Sequence, residues 1–292
     1  MENVNNCWHV CTEGLKDRLM FRDAEDFIAG MNSVAMCLHG VKVAMLAFCL
    51  MNNHVHFVVN GEKETVKAFI NRYVKRIGML TEGRYGEKSP FHGIGVLTKP
   101  ILSRTQLATV ISYVHRNPLA AGLCTPPTYE WSSASVFFSQ RRVRKGWRKI
   151  GDIAPRKLRD VLKTRAVNLP RGWLINEEDM IMPQSYLRIG YVERLYGSPV
   201  NYMFSLNTNK DAEIEAAMLA GRRAFSDEVM RRKLPAICKE HFGIDNFDRL
   251  GIKDKYALVT IMHRLYACNV KQIVRLTAID SAIVSRLLGK GS

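Results

Sequence analysis

Val43-Ala44-Met45-Leu46-Ala47-Phe48-Cys49-Leu50-Met51-Asn52-Asn53-His54-Val55-His56-Phe57-Val58-Val59 reads as two apolar runs on either side of a short polar connection. The pattern predicts strands over 41–48 and 54–59, joined at Met51-Asn52-Asn53 as a hairpin. Side chains alternate faces along a strand, so His54 and His56 point the same way while Val55 packs on the opposite face. Two imidazoles on one rigid strand make a two-pronged clamp for a metal ion. The plainer reading of the same residues is a pair of half-buried strand histidines.

Outward from this hairpin, Trp8-His9-Val10-Cys11-Thr12 alternates like a strand, and Asp23-Ala24-Glu25-Asp26 opens an acid-capped helix carrying Phe27, Met31, Val34, Ala35 and Leu38 at helical spacing, with Gly40 as its stop. A basic amphipathic helix is predicted over 64–80, with Val66, Phe69, Ile70, Tyr73 and Ile77 on one face and Lys67, Arg72, Lys75 and Arg76 on the other. Glycines 83, 86, 93 and 95 mark loops around a short strand, and 105–117 is helical. The order β-α-β-β-α-β-α predicts an α+β fold with helices against an antiparallel sheet.

The 292 residues carry 43 Lys+Arg against 27 Asp+Glu, a net charge of +16. Such a field favours a polyanionic partner, nucleic acid first and an anionic membrane surface second. No apolar stretch approaches the roughly 20 residues of a spanning helix, and the first residues lack a signal peptide's basic and apolar regions, so no membrane insertion and a cytoplasmic location are expected. The seven cysteines show no CxxC pair and read as reduced, buried thiols with no zinc site. Three segments are expected: a catalytic domain over 1–140, a basic arm and irregular connector over 141–210, and a helical region over 211–292.

In the arm, Arg141, Arg142, Arg144, Lys145, Arg148 and Lys149 surround Trp147 with no acid among them. The run is either a solvated linker or a phosphate-contacting segment in which Trp147 stacks on a base. In the tail, 270–288 resembles a helix-turn-helix within a helical cluster over 255–290, with Ile279 in the turn and Asp280 and Ser281 capping the second helix. Ser281, Ala282, Ser285 and Arg286 are its groove-facing candidates, although Val274 stands where a small residue is usual and Ala278 where glycine is usual.

The chemistry-bearing partner of the histidines is Tyr113-Val114-His115-Arg116-Asn117-Pro118. Tyr113 and Asn117, four apart, project from one helix face. Pro118 places them at the expected helix end. Two imidazoles and an amide oxygen make a ligand set for Mg²⁺ or Mn²⁺, beside which a tyrosine could attack a phosphodiester; histidine alone would also accept zinc.

Three ordered stretches, Ala47 through Val59, Tyr113-Val114-His115-Arg116-Asn117-Pro118-Leu119-Ala120-Ala121-Gly122-Leu123, and Tyr129-Glu130-Trp131-Ser132-Ser133, resemble the single-tyrosine HUH transposases, and among them the REP-associated tyrosine transposases and their relatives. The resemblance covers about residues 8 to 138. It implies a ferredoxin-like antiparallel sheet with helices on one face, His54 and His56 as metal ligands, Asn117 completing the metal site, and Tyr113 as nucleophile. It also implies a divalent metal and a single-stranded DNA substrate, often with a hairpin beside the cleavage site. Met51-Asn52-Asn53 departs from the usual Met-Pro-Asn, and the segment between Gly78 and Thr105 is shorter than is common. The rival readings are a catalytically idle protein that binds DNA hairpins or regulates, and a metal hydrolase that uses water. Tyr73 is read as a core or DNA-facing aromatic, His115 as a surface or packing residue, Trp131-Ser132-Ser133 as structural, and His9 and His39 as lacking a partner at metal-ligand spacing. The sequence leaves the DNA sequence recognised and the oligomeric state open.

Overall fold

The computed structural model describes residues 4–12, 19–92, 95–121, 123–139, 145–164, 168–208, 227–266, 268 and 270–288. The chain folds as two compact units, 1–209 and 210–292. In the first, strands β1 (Cys7–Thr12), β2 (Ala44–Met51), β3 (His54–Asn60) and β4 (Val96–Ile101) form an antiparallel sheet in the order β2-β3-β1-β4. Helix α1 (Ala24–Leu38) links β1 to β2, α2 (Lys63–Tyr85) links β3 to β4, and α3 (Arg104–Ala120) follows β4. Since β1 and β2 both run antiparallel to β3, they are parallel to each other with β3 between them, the split arrangement of a ferredoxin-like β-α-β-β-α-β unit.

The sheet is covered on both faces, not on the one face expected. Phe57 meets Phe69 and Tyr73 of α2, with ring centroids 5.3 and 5.0 Å away. His56, one residue back and facing the other way, meets Tyr113 of α3 at 5.4 Å. The sign of this is in β2, where every residue after Ala44 is buried: an unbroken apolar run, not an alternating one, marks a strand packed on both sides.

Local chemistry sets the helix ends. Asp23 caps α1 by accepting from the Asp26 amide at 3.0 Å. Gly30, inside α1, is where the helix backbone meets the Phe21 ring; a Cβ there would lie 2.6 Å from it. Helix α2 runs beyond the expected residue 80 to Tyr85 and stops at Gly86 in left-handed geometry, φ +66°. Arg76 leaves the basic face expected of it: its guanidinium donates to Ser33 Oγ at 3.0 Å and to the Leu162 carbonyl, tying α2 to α1 and to the segment beyond the sheet.

That segment is no separate connector. β5 (Arg148–Lys149) pairs with β6 (Leu174–Ile175), and α4 (Pro155–Val161) lies between them in sequence. Ile150, Leu158, Leu162, Ile175 and Ile181 form a core with Ala35 of α1. Asn32 of α1 accepts from the Ile181 amide at 2.7 Å, and the Arg188 amide donates to the Met45 carbonyl at 3.0 Å. Helices α5 (Ile189–Tyr196) and α6 (Pro199–Thr208) complete the unit, Tyr196 donating to the Ala108 carbonyl of α3 at 2.8 Å.

Of the surface or packing role expected of it, His115 takes the packing one. Fully buried, it joins three elements: Nδ1 lies 2.9 Å from Tyr202 Oη of α6, and Nε2 lies 2.8 Å from Ser133 Oγ, which accepts from the Phe48 amide of β2. Burial without a compensating charge pushes its pKa down to about 3. The unfolded chain takes up this proton near pH 6.5, so the contribution of His115 to stability is complete above that value and is lost as pH falls toward 3, with a slope approaching about 1.4 kcal/mol per pH unit. All four tryptophans, Trp8, Trp131, Trp147 and Trp173, lie in the first unit, so their fluorescence reports its unfolding. Denaturant titrations at pH 7 and pH 5 are expected to show a smaller loss of stability in His115→Gln than in the parent; equal losses would contradict the assignment.

The second unit contains α7 (Asp227–Phe242), α8 (Ile252–Tyr266), α9 (Val270–Thr277) and α10 (Ser281–Leu287), packed around Met230, Ile237, Leu258, Met262, Ile273 and Val284. Between α9 and α10, Ala278 takes φ +55°, the conformation for which glycine is favoured, and Asp280 caps α10 by accepting from the Ala282 amide at 2.8 Å. Ser281, Ala282 and Arg286 are exposed and Ser285 is half-buried. Among the described residues no helix is long and apolar enough to cross a membrane.

Candidate functional site

The sheet face beneath α3 gathers more chemistry than the two histidines of β3. Cys11 of β1 lies opposite His56, and His9 lies between Val58 and Lys99 of its two neighbouring strands. His9 and Cys11 therefore share the face of His54 and His56. The His9 and His56 rings stack at 5.3 Å, with His9 Nε2 3.1 Å from His56 Nδ1. The His54 ring stands nearly perpendicular to His56 at 4.9 Å, and the Tyr113 ring from α3 presents an edge-to-face contact to His56 at 5.4 Å and to His9 at 6.0 Å.

Asn117 lies in the last turn of α3, near the helix end as expected, and its carbonyl accepts from the Ala121 amide. Helix α3 continues through Pro118 to Ala120. Proline has no N–H to give the Val114 carbonyl one turn back, and the Asn117 side chain supplies the donor instead: its Nδ2 lies 3.3 Å from the Val114 carbonyl and 3.0 Å from that of Tyr113. With the amide nitrogen engaged there, Oδ1 faces His54 Nε2 at 3.3 Å. On the far side of the same ring, His54 Nδ1 lies 2.7 Å from Asn53 Oδ1, so each ring nitrogen faces an amide oxygen and a neutral imidazole can donate to only one of them. In the tautomer protonated at Nδ1, the Nε2 lone pair and Asn117 Oδ1 face the same space, 3.3 Å apart. Neighbouring ligands on an octahedral ion with bonds of about 2.1 Å are about 3.0 Å apart, so this pair fits a small hard cation.

A second donor set overlaps the first. Ligand atoms of His9, Cys11 and His56 all lie within 4.8 Å of one another, and all three residues are buried. This cluster could hold a metal. It brings His9 and Cys11, which the sequence reading leaves out of any ligand set, together with His56. The signal was present, because His9 and Cys11 repeat the i, i+2 spacing of His54 and His56; what joins them to His56 is strand register, which no local pattern reveals. His9 Nδ1 has no hydrogen-bond partner among the described residues. Burial, with the Lys99 ammonium as a lesser contributor, lowers the His9 pKa to about 4 and keeps the imidazole neutral.

No family model and no curated protein match the chain. A solved structure does, that of a REP-associated tyrosine transposase bound to a REP hairpin. The likeness has a TM-score of 0.34 and 11% identity, over 44% of this chain and 76% of that one.

The remaining candidates lie elsewhere. Arg141, Arg142 and Arg144 fall outside the described residues. Lys145, Arg148 and Lys149 are exposed and Trp147 is half-buried; Arg148 is ion-paired with Asp179 at 3.0 Å. Ser281, Ser285 and Arg286 belong to α10 of the second unit. Tyr73 is fully buried beneath the opposite face of the sheet, against Phe57, so it is a core aromatic.

Proposed function

We propose that the protein cleaves and rejoins single-stranded DNA, with Tyr113 as the nucleophile and His54, His56 and Asn117 as ligands of a divalent cation, Mg²⁺ or Mn²⁺. The observation that carries the reading is the convergence of a half-buried phenol, two imidazoles and an amide oxygen on one sheet face, with His54 Nε2 and Asn117 Oδ1 turned toward each other. When bound, the cation would polarise the scissile phosphate and offset charge developing in the transition state. Tyr113 would form the new oxygen–phosphorus bond as one phosphodiester bond breaks; its proton passes to solvent, and the departing strand's hydroxyl takes one up. The net charge of +16 supports a polyanionic substrate. A hairpin next to the cleavage site, a cytoplasmic location and DNA contacts by the basic run and by α10 belong to the same proposal and rest on the sequence resemblance and composition.

Incubation with a labelled hairpin oligonucleotide and Mn²⁺ is the direct test, read as a denaturation-resistant protein–DNA adduct. An idle hairpin-binding protein would bind and form none. His54→Ala removes one of about three protein ligands, so it is expected to lower cleavage by 100-fold or more, a scale of about 2.7 kcal/mol, while hairpin binding stays within a few-fold. Undiminished cleavage in EDTA would contradict the reading.

A further inference from the structure

We propose that His9, Cys11 and His56 form a second metal site, selective for a soft divalent cation of the zinc type, and that it excludes the harder cation because His56 belongs to both sets. The second half of this rests on the function proposed above; the first stands on the cluster alone.

The two sets differ in donor chemistry. His54, His56 and Asn117 offer two nitrogens and an oxygen, while His9, Cys11 and His56 offer two nitrogens and a sulfur, and a thiolate selects zinc over magnesium and manganese. The spacing suits a tetrahedral ion. With zinc–nitrogen bonds near 2.05 Å and a zinc–sulfur bond near 2.3 Å, ligand nitrogens stand about 3.3 Å apart and nitrogen and sulfur about 3.6 Å apart. His9 Nε2 and His56 Nδ1 are already 3.1 Å apart, and all three ligand atoms lie within 4.8 Å. Two of the ligands sit on β1 and the third directly opposite Cys11 on β3, so all three project from one face of the sheet. A neutral imidazole has a single lone pair. His56 can therefore serve one cation at a time, and a soft ion seated against His9 withdraws it from the set containing Asn117.

The full-length protein, reduced and metal-free, is titrated with Co²⁺ as a spectroscopic stand-in for Zn²⁺, and bound Mn²⁺ is followed separately by the loss of the free-ion paramagnetic resonance signal. A thiolate-to-cobalt charge-transfer band is expected to saturate at one equivalent. Cys11→Ala and His9→Gln are expected to lose the band and to weaken Zn²⁺ binding by 100-fold or more, and both should still bind Mn²⁺. His54→Ala is expected to keep the band and lose Mn²⁺. One equivalent of Zn²⁺ should release Mn²⁺ from the parent protein. Absence of the band in the parent, or its persistence in Cys11→Ala, would overturn the site; Mn²⁺ remaining bound beside Zn²⁺ would overturn the sharing of His56. Failure of the parent to bind Mn²⁺ with the cobalt band intact would sink the hard-cation reading and still support the thiolate site. Thermal melts of the two variants confirm that they fold, and with two independent ligands removed singly the test does not depend on either.

Discussion

Tyr113→Phe is expected to abolish the covalent protein–DNA adduct, a fall of about 10⁴-fold or more on the scale of other nucleophile deletions. The substitution removes one oxygen and leaves the ring, so the edge contacts with His56 and His9 are kept and the sheet beneath is undisturbed. Binding of a labelled hairpin oligonucleotide should therefore stay near the parent value while adduct formation vanishes. The measurement is a denaturing gel beside a binding titration of the same preparation. Adduct persisting in the variant would move the nucleophile elsewhere, and strand cleavage persisting without an adduct would favour water activated by the histidine site.

The second large effect lies on the other face of the same strand. Phe57→Ala is expected to destabilise the first unit by about 3–5 kcal/mol. Phe57 is fully buried, packs edge-to-face on Phe69 and Tyr73, and sits in register with Val10 and Phe48 on its two neighbouring strands. Its removal opens a cavity between β3 and α2 that these stiff neighbours cannot close. Because His56 and Phe57 are adjacent but point apart, loosening this side also releases the strand that carries both histidines. Denaturant unfolding followed by tryptophan fluorescence measures the loss; a change below about 1 kcal/mol would show that the core relaxes around the gap.

The hairpin of β2 and β3, the Asp23 cap and the order of elements through α3 were legible because each rests on local chemistry: alternation, an acid before an apolar helical stripe, and a two-residue turn at Asn52 and Asn53. The burial of both sheet faces is written in the unbroken apolar run of β2, whereas a one-sided sheet calls for alternation. Three features lay beyond local reading. The pairing of His9 and Cys11 with His56 depends on β1 lying beside β3, a contact between residues 47 apart for the His9–His56 pair. The docking of Ile150, Leu158, Leu162, Ile175 and Ile181 on Ala35 of α1 depends on isolated hydrophobic residues scattered through a polar segment. The inward turn of Arg76 was hidden because a half-buried arginine and a solvated one have the same helical spacing.

The proline inside α3 makes stability and function compete at a single position. A residue with an N–H in place of Pro118 would return the missing hydrogen bond to the Val114 carbonyl and relieve a defect that costs a helix interior about 3 kcal/mol. The same repair would take the Val114 carbonyl from the Asn117 amide and leave the Tyr113 carbonyl alone to hold its nitrogen away from His54. A search for hardier variants of this protein would therefore be drawn to residue 118, and the more robust molecules it returned there would be the ones whose proposed metal ligand, Asn117, was less firmly oriented.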